Sequence, residues 1–195
     1  MTASSLILEG LGCIRGGRVL FTGIDLVLEA GGAAIATGPN GAGKTSLLRL
    51  IAGLLTPGAG SVTQEGGIAF AGMEPALDRD TPLAKALAYW ARIDGSGADD
   101  VARGLEAMAL ANLAEVPVRM LSAGQLKRAS LARVIAGPAA IWLLDEPGNG
   151  LDRDAQAMLE AAIAGHRVAG GIVVAATHQP LAMDGAVEIP LVVAT

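Results

Sequence analysis

The sequence predicts an α/β fold: a P-loop core on a mostly parallel sheet, an antiparallel β flank at the N-terminus and a helical insertion in the middle. Three observations predict it. The segment Gly38-Pro39-Asn40-Gly41-Ala42-Gly43-Lys44-Thr45 fits G-x-x-x-x-G-K-[ST] without a mismatch. Such a loop curls its backbone so that several N–H groups point at one anion, and it needs a strand before it and a helix after it. Two later runs, 140–144 and 171–176, are almost wholly apolar, as parallel strands covered on both faces are. Between loop and runs, the pattern from about Thr81 to Val134 is helical.

Taken in order, Leu6–Glu9, Val19–Phe21 and Ile24–Leu28 read as strands, with Gly10, Gly12, Gly16, Gly17 and Gly23 as the turns between them. Ala33–Ala36 is a buried strand leading into the loop, and Ser46–Leu55 the helix leaving it. Residues 57–66 are turn-rich, and Ile68–Ala71 is a short strand. Asp80-Thr81-Pro82 starts a helix, with Thr81 as cap and Pro82 in the first turn. A second helix covers about Ala98 to Ala111. The last third alternates: strand Ala140–Leu144, helix 153–166, strand Gly171–Ala176. No linker divides the chain, so 1–195 is one domain. Residues 1–72 and 136–195 form its core, and about 73–135 a helical subdomain.

Composition narrows the function. Hydrophobic residues are 52% of the chain but aromatics only 3%, so small aliphatics dominate, as helix–sheet packing allows. No apolar run reaches the ~18 residues that a membrane span requires. The start Met1-Thr2-Ala3-Ser4-Ser5 lacks a basic n-region, and a cytosolic location is expected. A net charge of −5 argues against sequence-independent binding of nucleic acid, which needs a basic face. Cys13 is the only cysteine, which excludes an intramolecular disulfide and a cysteine-based zinc site.

Four motifs carry chemistry. In the loop, Lys44 can reach the β- and γ-phosphates of a nucleotide, and the Thr45 hydroxyl can ligate Mg²⁺. In Leu143-Leu144-Asp145-Glu146-Pro147, Asp145 ends a parallel strand and would hold Mg²⁺, while Glu146 could take a proton from an attacking water. In Leu121-Ser122-Ala123-Gly124-Gln125, Ser122 and Gln125 form a capping box, and a helix N-terminus with glycine and a free hydroxyl is a second anion site. In Thr177-His178-Gln179-Pro180, His178 would emerge on the nucleotide side, within reach of a γ-phosphate. The guanine-reading motif N-K-x-D is lacking, which argues against a GTPase.

These motifs, in this order and over nearly the whole chain, resemble the ATP-binding cassette family of transporter ATPases. The resemblance makes Gly38, Pro39, Asn40, Gly41, Ala42, Gly43, Lys44, Thr45 and Ser46 the Walker A loop, and Leu143 to Glu146 the end of the Walker B strand. Ser122, Ala123, Gly124 and Gln125 match the signature L-S-G-G-Q, with Ala123 in place of its first glycine. It makes Asp152 the D-loop aspartate and His178 the switch histidine. It implies a head-to-tail homodimer in which each ATP, with Mg²⁺, lies between the Walker A loop of one subunit and Ser122 and Gly124 of the other. Two positions depart from the pattern. Arg15 stands where an aromatic stacks on adenine, and a guanidinium plane can stack on a ring too. Glu74 stands at the Q-loop position in place of glutamine. Within the family, the variant signature, Gly170-Gly171-Ile172-Val173, Thr177-His178-Gln179-Pro180-Leu181, Arg15 and the short length resemble the haem-exporter ATP-binding subunits of cytochrome c maturation. That resemblance implies an integral-membrane permease partner and a peripheral place on the cytoplasmic face of the inner membrane. ABC ATPases for lipid, lipoprotein, metal or drug cargo, and soluble non-transport ABC ATPases, are the alternatives.

Overall fold

A computed structural model describes residues 4–72 and 75–192. In chain order it contains β1 (Ser5–Arg15), β2 (Arg18–Glu29), β3 (Ala33–Thr37), α1 (Lys44–Ile51), β4 (Ala59–Glu65), β5 (Ile68–Ala71), α2 (Leu83–Asp94), α3 (Ala98–Ala107), α4 (Ala123–Ala136), β6 (Ile141–Asp145), α5 (Arg153–Val168), β7 (Ile172–Ala176) and β8 (Val187–Pro190). Glu74 lies outside the described residues.

The N-terminal flank is an antiparallel sheet in the order β2-β1-β4. Its hairpin turns at Gly16-Gly17, both at positive φ (55° and 75°), with Arg15 facing Arg18 across the turn. A two-residue turn of this hand suits the right-handed twist of the strands, and glycine takes it without strain. The sequence reading is corrected at Gly10, Gly12 and Gly23. They lie inside long strands whose register shifts between Leu8 and Leu11 and again around Cys13. Glycine there marks bulges rather than turns. The turn-rich segment is also corrected: Ala59–Glu65 is a strand paired with β1 from Ser5↔Glu65 to Gly12↔Ala59. None of its side chains is fully buried, so no alternating apolar face announces it; backbone pairing to β1 holds it.

The second sheet is wholly parallel, in the order β5-β6-β7-β3-β8. The edge strand β8 is not signalled in the sequence reading. It ends in Pro190, which a sheet tolerates only at an edge. Strict alternation splits the strand residues between two cores. Ala33, Trp142, Leu144, Val173 and Ala175 pack with α2 to α5 through Leu83, Leu105, Leu131 and Leu159. Ala34, Ala36, Ile141, Leu143, Ile172 and Val174 pack with α1 and the antiparallel flank through Leu47, Leu48, Leu6 and Leu8. Covering on both faces is why these strands read as unbroken apolar runs.

Helix limits shift for local reasons. α1 stops at Ile51, before the predicted Leu55. Gly53 (φ 69°) donates to Leu50 O and Leu54 N donates to Arg49 O, a Schellman ending. α2 starts at Leu83 with Pro82 as its cap residue, not Thr81. The Thr81 hydroxyl instead donates to Asp78 O, and its carbonyl accepts from Val118 N. The stretch between α3 and α4 is not helical throughout. It holds two 3-10 turns, Ala111–Leu113 and Val118–Met120, and a left-handed Ala109 (φ 50°). Among the described residues, no helix is long and apolar enough to cross a membrane.

Candidate nucleotide site

The phosphate loop runs from the end of β3 into the first residue of α1, so its backbone N–H groups and the helix N-terminus converge. Two of its glycines are compelled. A side chain at Gly38 (φ 136°) would collide with the Leu191 carbonyl beyond β8. One at Gly43 (φ 103°) would press on the Phe21 ring at 3.0 Å. The flank and the edge strand thus fix the loop from both sides. Lys44 is buried, and its Nζ donates to Gly38 O (2.7 Å) and Pro39 O (3.3 Å), which holds the loop over its own helix.

The loop's strand β3 and the carboxylate-bearing strand β6 are not neighbours; β7 lies between them. Asp145 nevertheless reaches the loop because α1 lies over the sheet. Thr45 Oγ1 donates to Asp145 Oδ2 at 2.8 Å. Asp145 is 1% exposed, and its other oxygen, Oδ1, is buried without a hydrogen-bond partner. Burial pushes its carboxyl up from the usual carboxylate value, and the Thr45 hydrogen bond opposes the shift. A buried carboxylate with an unused oxygen beside a hydroxyl is a donor set for a hard divalent cation. Asp145 also lines a larger groove of about 990 Å³, which Arg49, Trp90 and Arg133 line as well.

Glu146 follows β6 with φ 45°, a left-handed conformation uncommon outside glycine. Its N–H donates to Ala176 O at 2.7 Å, so the turn is anchored to the end of β7. The turned backbone aims the carboxylate back across the sheet. Oε1 stands 3.9 Å from Lys44 Nζ and Oε2 2.9 Å from His178 Nδ1, with the His178 N–H 3.4 Å from the same oxygen. His178 is exposed, held at the end of β7 by the buried Thr177. A cavity of about 430 Å³ is lined by Leu20, residues 39–41 and 43–46, Glu146, Asn149 and His178.

The structure therefore brings Lys44, Thr45, Asp145, Glu146 and His178 together. Arg15 is exposed at the hairpin end and does not line this cavity. Ser122, Ala123, Gly124 and Gln125 open α4 and do not line it. Ser122 Oγ accepts from Gln125 N (3.2 Å) and Gln125 Oε1 accepts from Ser122 N (2.8 Å), which closes the predicted capping box. Ser122 and Ala123 are exposed. Asp152 caps α5, accepting from Ala155 N at 2.8 Å. A side chain at Gly124 would approach Gly150 O at 3.3 Å, so the α4 start packs on the loop that leads to Asp152.

Sequence reasoning missed Asn149 and Lys127. Lys127 extends from α4 to donate from Nζ to Asp145 O at 3.2 Å. Burial lowers its amino group below the usual lysine value, and Asp145 and Glu146 pull it back up. No local signal marks it, since a lysine four residues beyond the exposed Ala123 reads as a solvated helical residue.

Comparison with known proteins shows the family and the fold. The ABC transporter family profile matches residues 21–149. The "Cytochrome c biogenesis ATP-binding export protein CcmA" of Sphingopyxis alaskensis is 52% identical over 184 residues, 94% of this chain and 95% of that protein. Its namesake in Rhodospirillum rubrum is 48% identical over 195 residues, covering 94% and 84%. Among solved structures, an ABC transporter ATP-binding protein from Pyrococcus furiosus superposes with a TM-score of 0.84 at 24% identity, covering 96% of this chain and 97% of that one. At that identity the superposition shows the fold alone. The chain binds nucleotide as its family does. It belongs to the ABC transporter family and, within it, to the CcmA group of cytochrome c biogenesis ATP-binding export proteins.

Proposed function

We propose that this chain is the ATP-hydrolysing subunit of an ABC transporter complex serving haem export in c-type cytochrome biogenesis. It acts as a homodimer on an integral-membrane permease of the cytochrome c maturation type, at the cytoplasmic face of the inner membrane. It is a single nucleotide-binding domain in which residues of about 73–135 act as the helical subdomain.

The observation that carries the reading is the place of Glu146, held by a strained turn between Lys44 and His178. In the reaction, water attacks the γ-phosphorus, the bond to the β-bridging oxygen breaks, and ADP leaves with that electron pair. Glu146 takes the proton of the attacking water, worth roughly 10²–10⁴-fold for a positioned base. His178 orients the Glu146 carboxylate by its Nδ1 contact. Lys44 carries charge on the transferring group, and the N-terminus of α4 in the partner subunit, with Ser122 and Gly124, meets the same phosphate from the other side. Thr45 and Asp145 fit Mg²⁺, and the unpartnered Asp145 Oδ1 supports their assignment. When bound, the ion neutralises charge on the β- and γ-phosphates.

The permease contact is supported by exposed apolar residues on the helical part. Tyr89 and Ile93 share a face of α2 four residues apart, and both are more than half exposed. A cavity of about 620 Å³ lies beside Tyr89, which lines it with Leu77, Lys85 and Trp90 among others.

The test uses Glu146→Gln. With ATP and Mg²⁺ the variant should bind nucleotide, run as a dimer in size exclusion and show no turnover. The tagged chain purified from membranes should bring down an integral-membrane permease. Turnover near that of the parent chain would remove Glu146 as base. A chain that stays monomeric with ATP would remove the shared site.

A further inference from the structure

The signature end of α4 and the reaction centre of the same chain are joined by one side chain. Lys127 lies one turn beyond Ala123, on the helix face that begins at the exposed Ser122 and Ala123. Its Nζ runs inward rather than to solvent and ends 3.2 Å from Asp145 O. That carbonyl is the last of β6, and it belongs to the peptide linking Asp145 to Glu146. The same peptide carries the two functions of the site. Before it stands the buried Asp145, and after it the left-handed Glu146. Its N–H side is fixed to Ala176 O at 2.7 Å, and its C=O side to Lys127. A peptide clamped at both ends holds a strained conformation that open backbone would relax.

We propose that Lys127 is a positioning residue, holding the Asp145–Glu146 peptide in the orientation that aims Glu146 at the reacting water and tying that orientation to α4. This rests on the proposed function, in which the N-terminus of α4 faces the nucleotide of the partner subunit. The consequence is communication between the two sites of the dimer. A triphosphate docked on Ser122 bears on the helix whose next turn grips the reaction centre of that same chain. A second close approach runs in parallel, since any side chain at Gly124 would meet Gly150 O in the loop to Asp152. Lys127 does not line the phosphate-loop cavity, so its removal leaves the nucleotide's own contacts in place.

The test compares Lys127→Met, which keeps the apolar stem and removes the donor, with Lys127→Arg, which restores a cationic donor. Misplacing a catalytic group by about 1 Å costs roughly 10²-fold. Lys127→Met should therefore lower kcat about ten- to a hundredfold, with KM for ATP changed less than about twofold. The Hill coefficient for ATP should fall toward one, and the melting temperature should stay near that of the parent chain. Lys127→Arg should recover most of kcat and the cooperativity. Parent-like kcat and cooperativity in Lys127→Met would overturn the proposal. So would a loss of kcat that follows the melting temperature in both variants, which is the mark of a purely structural lysine. Glu146→Gln, run alongside, separates the two readings. If it abolishes turnover and dimerises with ATP while Lys127→Met behaves as the parent, only the Lys127 role is lost. If it keeps turnover, the proposed site and the Lys127 role fall together.

Discussion

Glu146 Oε2 stands 2.9 Å from His178 Nδ1, across the ends of two neighbouring parallel strands, β6 and β7. The pairing Asp145↔Ala176 sets the two strand ends level. The contact is therefore fixed by sheet register, and each partner has its own consequence when changed.

Replacing His178 by Ala removes the ring whose Nδ1 meets the Glu146 carboxylate and leaves the phosphate loop intact. Turnover should fall about a hundredfold, while ATP affinity stays within about twofold of the parent. Steady-state kinetics together with nucleotide titration would check this, and parent-like kcat would show that His178 does not orient the base.

Thr45→Ala removes the hydroxyl that donates to Asp145 Oδ2 at 2.8 Å. It leaves a second oxygen of a nearly fully buried carboxylate without its partner, which costs about 1–3 kcal/mol. The variant should need at least tenfold more Mg²⁺ for half-maximal turnover. A Mg²⁺ titration equal to that of the parent would remove Thr45 from the cation site.

Ser122→Ala breaks the capping box of α4 on one side. Loss of such a cap costs about 0.5–2 kcal/mol, to be read by denaturant unfolding. If Ser122 also meets the partner's nucleotide, turnover should fall by more than this loss of stability explains. Ser122→Asn, which preserves a capping side chain, should then recover the stability but not the turnover.

His166 provides the pH dependence of stability. Its ring stacks on Trp142 at 3.9 Å and 9°, and Nε2 lies 3.1 Å from Ala140 O. Burial lowers its imidazole below the ordinary value of about 6.5, and hydrogen bonds to the backbone of Ala140 and Ile172 oppose this. The folded chain therefore binds that proton less readily than the unfolded chain. The stability it contributes is present above about pH 6.5 and is lost as pH falls through the lowered folded value. Melting curves from pH 8 to pH 5 should show this loss in the parent and a weaker one in His166→Gln. Equal slopes would assign the acid sensitivity elsewhere.

Several features were legible in the residues because local chemistry dictates them. The glycines and Lys44 of the loop, the capping box of Ser122 and Gln125, and the three buried strands β3, β6 and β7 each follow from spacing or from unbroken apolar character. β4 and β8 were not legible. β4 buries no apolar face, and β8 is a short edge strand, so each exists through pairing with a distant partner. Gly10, Gly12 and Gly23 look like turn glycines to any local reading, and only the register of β1 against its neighbours makes them bulges.

The sequence by itself determined the ligand chemistry, since an anion-binding loop, a pair of carboxylates and a histidine are fixed by residue type and order. Tertiary structure alone decided how they meet. β7 separates β3, which leads into the phosphate loop, from β6, which ends in Asp145, and Thr45 comes within 3 Å of Asp145 only because α1 lies over the sheet. The inward course of Lys127 was likewise decided by packing, because a lysine at a helical position reads as solvated until the strand end beneath it is seen. Contacts between groups 100 residues apart depend on strand order and helix placement, which are global properties that no local pattern encodes.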